Sequence, residues 1–225
     1  MLKIFRGCLL LGCITLTFLL AGCFNQQTPV EKIYEVFEKV VVAEKLFEEQ
    51  QDPLVKLEKE EQVIYDKIIS LGLKETEEIS ALTTEALDIV KQRKEHMEKE
   101  QQSLDESKSE FVSIKLLLEE MDESAQKKKA KELYDLMMER YRVHKELSDD
   151  YLAALELDKE LYEMFREDDI QLEKLQDQIV KINEKYSGIL TANQEFNEKT
   201  KQYNETKISF YKESGMDIKI NDEKN

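Results

Sequence analysis

Apolar residues recur three and four positions apart along most of the chain, and they trace four long stripes. The first runs through Val30, Ile33, Phe37, Val40 and Phe47, then resumes at Leu54, Leu57, Ile64, Ile68 and Leu71. The second repeats every seven residues through Val90, Met97, Leu104, Phe111 and Leu118. The third joins Leu133, Met137, His144, Leu147, Tyr151, Ala154, Leu161 and Phe165, and the fourth fills nine of the twelve three-four positions from Leu172 to Phe210. A period of this kind is that of helices burying one face, and the seven-residue spacing is that of coiled-coil seams.

The stripes are bounded by recognisable signals. Thr28 is placed as an N-cap, Pro29 as the first helical residue and Glu31 as the closing member of a capping box. Asp52 and Pro53 interrupt the first stripe, because proline removes a backbone donor and disfavours helix in the residue before it. The expectation is a kinked or twice-started helix ending at Gly72, a natural C′ glycine. A second helix is predicted from about residue 75 to 121. Between Lys91 and Ser109 only Met97 and Leu104 are strongly apolar, so its seam is expected to be narrow there and the stretch solvated on most sides. Ser124 caps a third helix, which breaks near Glu167, Asp168 and Asp169. Asp168 then caps a fourth, with Gln171 at the capping-box position.

Each predicted helix has about 40 to 47 residues, or roughly 60 to 70 Å at 1.5 Å per residue. Similar lengths joined by very short turns predict an all-α, elongated up-and-down antiparallel four-helix bundle with its first helix kinked near Pro53. A three-helix, spectrin-like rod with an N-terminal helical arm is the alternative, should Pro53 detach part of the first segment. With only six glycines and two prolines in 225 residues, the chain lacks the turn residues that a fold with many connections consumes.

The amino-terminal residues follow a different pattern. Lys3 and Arg6 precede an uncharged apolar run from residue 7 to 20, the form of an export signal and too short for a spanning helix. Leu20, Ala21, Gly22 and Cys23 look like a bacterial lipobox: an aliphatic residue, two small residues that thread a peptidase cleft, and the cysteine that is lipidated. Residues 1–22 are then a lipoprotein signal peptide, 23–28 a lipidated linker, 29–213 the bundle and 214–225 a disordered tail. Two acyl chains on Cys23 give stable membrane attachment where one would not. Cys8 and Cys13 leave with the signal. Only the acylated Cys23 remains, which excludes disulfide, thiol-nucleophile and cysteine-metal chemistry.

Charge narrows the function further. The net charge is −16, and loss of Lys3 and Arg6 with the signal makes the remainder more acidic, the opposite of a nucleic-acid footprint. Antiparallel pairing puts His144 opposite about Leu104, so His96 and His144 should lie roughly 12 Å apart along the axis and share no metal. Arg93 and Tyr141 stand where the glutamates of a di-iron Glu-x-x-His motif would be. Carboxylates are abundant, but on helix faces expected to be solvated, and the tyrosines fall on the seams, where rings fill space. The expectation is a non-enzymatic protein with no catalytic residue, metal or cofactor. Lys127, Lys128, Lys129 and Lys131 form a basic knot where the helix dipole disfavours cations. They are candidate contacts to an anionic membrane surface. The alternative is a soluble turn neutralised by Glu119, Glu120, Asp122 and Glu123.

The lipobox, the acidic helical remainder, the run Tyr34, Glu35, Val36, Phe37, Glu38, Lys39, the run Leu161, Tyr162, Glu163, Met164, Phe165, and the break at Asp168 and Asp169 together resemble the YkyA-type putative cell-wall binding lipoproteins of Firmicutes. The resemblance covers essentially the whole chain. It implies a helical bundle on the extracytoplasmic face of a Gram-positive membrane, held through Cys23 and associated with cell-wall polymer or an envelope protein. It supplies no catalytic residues. The expected function is an envelope scaffold, with a helical adaptor or chaperone-like accessory subunit for an exported protein, wall enzyme or transporter as the alternative.

Overall fold

Thr28 opens the first helix in the way its neighbours predict. Its backbone N–H donates to Glu31 Oε2 at 2.7 Å, and the Glu31 N–H donates back to Thr28 Oγ1 at 3.2 Å, so two end-of-helix donors are satisfied reciprocally. From there a computed structural model, which describes residues 27–72, 76–167 and 171–215, is built of helices. They are α1 (Pro29–Ala43), α2 (Lys45–Leu71), α3 (Thr76–Phe111), α4 (Ile114–Glu120), α5 (Ala125–Met164) and α6 (Leu172–Glu213). The expected export signal, the lipobox residues 20–23, the Asp168 cap and the tail from 216 onward lie outside the described residues.

Gly72 follows α2 with φ 64°, the left-handed conformation that favours glycine after a helix. Ser124 Oγ accepts the Lys127 N–H at 3.1 Å, capping α5. The first segment is indeed started twice, but it restarts at Glu44 rather than at Asp52 and Pro53. Glu44 has ψ 0° and its carboxylate is drawn into a buried pairing described below. The Ala43 carbonyl, turned out of the helical ladder, accepts from Ser103 Oγ at 2.6 Å. Pro53 sits inside α2; it removes one helical hydrogen bond without ending the helix, and Leu54 and Leu57 just beyond it are buried. The second predicted helix is divided as well. Ser113 Oγ bonds the Glu110 carbonyl at 2.7 Å, offering the backbone a local alternative to helix, and the ladder tightens to three-residue bonds before α4.

The described residues form two units. The first comprises Leu46–Gln102 and His144–Gln194, drawing on α2, α3, α5 and α6. Contacts between Gln51 and Glu100 and between Glu61 and Arg93 run α2 against α3 antiparallel. Those between Asp150 and Lys185 and between Glu160 and Gln178 do the same for α5 and α6. Glu58 meets Tyr151 and Glu61 meets Tyr162, so α2 and α5 are parallel across the core. This is the up-and-down order expected from the short turns. Four segments meet here, not three.

The second unit comprises residues 27–45, Ser103–Val143 and 195–215. Its core is aromatic: Phe37 lies 6.0 to 6.2 Å from the rings of Phe111, Tyr203, Phe210 and Tyr211, and Phe111 reaches Tyr134 and Tyr141. These edge and stacked contacts add to the area the rings bury. The seam tyrosines pack as cores do. Leu172 departs from its stripe, being 60% exposed, so the buried face of α6 begins at Leu175.

Candidate functional site

The apolar stripes have gaps, and the gaps are filled by buried polar groups. Glu44, Glu61, Arg93, Glu100, Ser107, Arg140 and Asp158 occupy seam positions at which the three-four spacing calls for an apolar residue, and all are buried. The stretch from Lys91 to Ser109, expected to be largely solvated, therefore has a second buried row: Arg93, Glu100 and Ser107 recur every seven residues beside Val90, Met97 and Leu104.

In the first unit Arg93 is the hub. Its Nη1 donates to Glu61 Oε2 at 2.5 Å and to Asp158 Oδ2 at 3.4 Å, Nε to the Tyr151 hydroxyl at 2.9 Å and Nη2 to the Tyr186 hydroxyl at 2.9 Å. The two hydroxyls pass the interaction outward, Tyr151 donating to Glu58 Oε1 at 2.7 Å and Tyr186 to Asp158. Tyr162 donates to Glu61 at 3.1 Å. The guanidinium also lies over the faces of Tyr151 and Tyr186, at 5.0 and 5.8 Å, favourable positions for a cation.

Three carboxylates around one guanidinium leave negative charge in excess. Burial, with the Glu61 carboxylate beside it, pushes Asp158 up to about 7, against the pull of Arg93. Burial also raises Glu58, with Arg93 and Tyr151 opposing. Burial works against the charge on Arg93, but the surrounding oxygens outweigh it and hold the guanidinium protonated.

Two turns along, His144 is 1% exposed and both ring nitrogens are engaged, Nε2 with Glu100 Oε1 at 2.7 Å and Nδ1 with Gln101 Oε1 at 3.0 Å. The register thus differs from the expected Leu104 by about a turn. His96 pairs instead with Gln50 at 2.8 Å, and burial, then Lys99, lowers its pKa. Each histidine has its own amide partner.

The second unit holds a simpler pair. Arg140 grips Glu44 through two bonds of 2.8 and 2.9 Å, donates Nε to Thr200 Oγ1 at 2.9 Å and stacks 4.7 Å over Phe196. Ser107 completes the acceptor side of Glu44 at 2.8 Å. Planar two-point geometry of this kind is specific to arginine.

The lysines at the start of α5 are tied to nearby carboxylates. Lys127 reaches Glu123 at 2.8 Å and the Met121 carbonyl at 3.0 Å, Lys129 reaches Glu132 at 2.9 Å, and Lys131 reaches Asp135 at 3.2 Å. Contacts of Lys32 with Glu120 and of Gln126 with the Glu213 carbonyl bring the start of α1, the end of α4, the start of α5 and the end of α6 to one end of the second unit. Lys128 belongs to the same helix start.

The hub residues were not singled out from the sequence, although the signal was present. Arg140 falls between Met137 and His144, and Asp158 between Ala154 and Leu161, at the spacing that otherwise carries apolar groups.

Comparison with known proteins adds what the geometry leaves open. A family model described as "YkyA: Putative cell-wall binding lipoprotein" matches residues 28–213, from the Thr28 cap to the end of α6. The chain belongs to the YkyA family. A Bacillus subtilis (strain 168) relative, named "Uncharacterized lipoprotein YkyA", is 34% identical over 204 residues, covering 91% of each chain. The crystal structure of a conserved protein of unknown function from Staphylococcus aureus superposes with a TM-score of 0.69, covering 83% of this chain and 97% of that one at 14% identity. That likeness concerns the helical fold alone. YkyA-family membership places the chain in a lipoprotein family to which cell-wall binding is ascribed. Among the described residues no helix is long and apolar enough to cross a membrane.

Proposed function

We propose that this YkyA-family protein is a non-enzymatic scaffold of the cell envelope, lipidated at Cys23 on the extracytoplasmic face of the membrane and binding wall material through its helix surfaces. The observation that carries the reading is the family match over residues 28–213, from the Thr28 cap through α6. The interior is in keeping with it: most of the buried charged side chains are engaged with one another, leaving the outward helix faces as the surfaces for a partner. Thr28 follows Cys23 by five positions, about 17 Å at full extension, so the end of the second unit that carries Lys127, Lys128, Lys129 and Lys131 stays close to the bilayer. Headgroup attraction, at most about 1 kcal/mol per lysine near the surface and less for the three that are paired with carboxylates, would add to the anchor. Because the chain is strongly acidic, contact with anionic wall polymers calls for divalent cations or a local patch to bridge like charges.

Fractionation of cells tests this. After detergent removes the membrane, the protein should remain with the wall until a muramidase digests the glycan. Cys23→Ser should move the protein out of the membrane fraction while leaving wall retention intact. Complete release by detergent alone would refute the wall-binding reading.

A further inference from the structure

The polar interior of the first unit borders a small cavity of about 30 Å³ lined by Glu58, Glu100, Gln51 and Asn193, with Tyr151 and apolar groups completing its wall. Room for one or two water-sized particles is what that volume represents. One lining group has an unmet need. Glu58 Oε1 takes the Tyr151 hydroxyl, but Oε2 is shut off from solvent and has no hydrogen-bond partner. A buried carboxylate oxygen left in this condition is costly, and a hydrogen-bond donor or a cation normally answers it.

We propose that this cavity is a binding site for a single hard cation, calcium, ligated by Glu58 Oε2 together with side-chain oxygens of Glu100, Gln51 and Asn193. Every polar side chain bordering the space carries oxygen, and neither sulfur nor a histidine nitrogen borders it apart from the thioether of Met97; carboxylate and amide oxygens select hard cations over transition metals. The charge balance agrees. Glu58, Glu61, Glu100 and Asp158 gather about Arg93 and His144, and burial, with neighbouring carboxylates adding to it, already drives Asp158 and Glu58 toward holding protons. Calcium is favoured over magnesium because magnesium keeps several of its waters, for which the cavity has no space. Gln51, Val55 and Asn193 are only half-buried, which gives the ion a way in.

The mature, detergent-solubilised protein, stripped with chelator, is titrated with CaCl2 or MgCl2 at constant ionic strength while the melting temperature and bound metal are measured. One calcium per chain and a rise in melting temperature are expected, with magnesium weaker by at least about tenfold. Glu58→Gln keeps the acceptor for Tyr151 while removing the charge; it should abolish the calcium response yet melt no lower than the metal-free parent. Exposed Glu205→Gln should respond as the parent does. Terbium supplies a readout on the unaltered protein: with no tryptophan present, Tyr151 should sensitise its luminescence, and calcium should quench the signal by competition. Absence of bound calcium, a response retained in Glu58→Gln, or equal responses to calcium and magnesium would each overturn the assignment and leave the cavity to water.

Discussion

Replacing Arg93 with methionine removes the guanidinium while keeping much of its length, and the structure sets how much should be lost. Four side-chain hydrogen bonds disappear, and Glu58, Glu61 and Asp158 lose the cation they face at 3.6, 2.5 and 3.4 Å. Breaking one buried pair by removing a single partner costs about 3–5 kcal/mol, and with three acidic groups stranded the upper end is expected. At about 2–4 °C per kcal/mol for a chain of this size, roughly 5 kcal/mol lowers the melting temperature by about 10–20 °C. Circular dichroism during heating, at pH 5 and at pH 8, measures it. Glu58 and Asp158, already raised by burial with Arg93 opposing, will be raised further once the cation is gone. A group raised in the folded state stabilises below its unfolded pKa and ceases to do so as pH climbs through the folded one. The deficit of the variant should therefore be smaller at pH 5 than at pH 8. Adding Glu61→Leu and Asp158→Leu should recover most of the loss, because an apolar replacement of a whole buried ionic group is often neutral or better. A deficit below about 1 kcal/mol, or one equal at both pH values, would refute the reasoning.

Other expectations follow from neighbouring groups. Asp158, raised from 3.8 to about 7, should make the parent lose stability progressively as pH rises from about 4 to about 7, by roughly 4 kcal/mol at most, with little further change above neutrality; Asp158→Asn should flatten that part of a melting-temperature profile. Arg140→Lys cannot reproduce the two-point grip on Glu44 and should cost about 1.5–3 kcal/mol in urea unfolding. Thr28→Ala removes the N-cap of α1 and should cost about 1 kcal/mol, read as a small shift of the urea midpoint.

The helices and their caps were legible in the sequence because they depend on near neighbours. Thr28 with Glu31, Ser124 with Lys127 and Gly72 after Leu71 each act within a turn, and the seven-residue row from Val90 to Leu118 is buried throughout. Breaks were less legible where a distant residue decides them. Pro53 looked like the interruption, yet the helix restarts at Glu44, whose carboxylate is held by Arg140, 96 residues away. The same applies to the interior charges. Arg93 reads as a gap in the apolar seam when only its own helix is considered, and becomes a core residue once Glu61, Asp158, Tyr151 and Tyr186 arrive from three other helices. The lysines at the start of α5 were legible as a group, and the carboxylates that tie three of them were the acidic neighbours within four positions.

Sedimentation of the purified mature protein with isolated wall sacculi tests the central claim most directly. The protein should co-sediment, more so with calcium than with chelator, and should return to the supernatant when the sacculi are digested. Equal recovery in the supernatant with and without sacculi, under both conditions, would contradict direct wall binding.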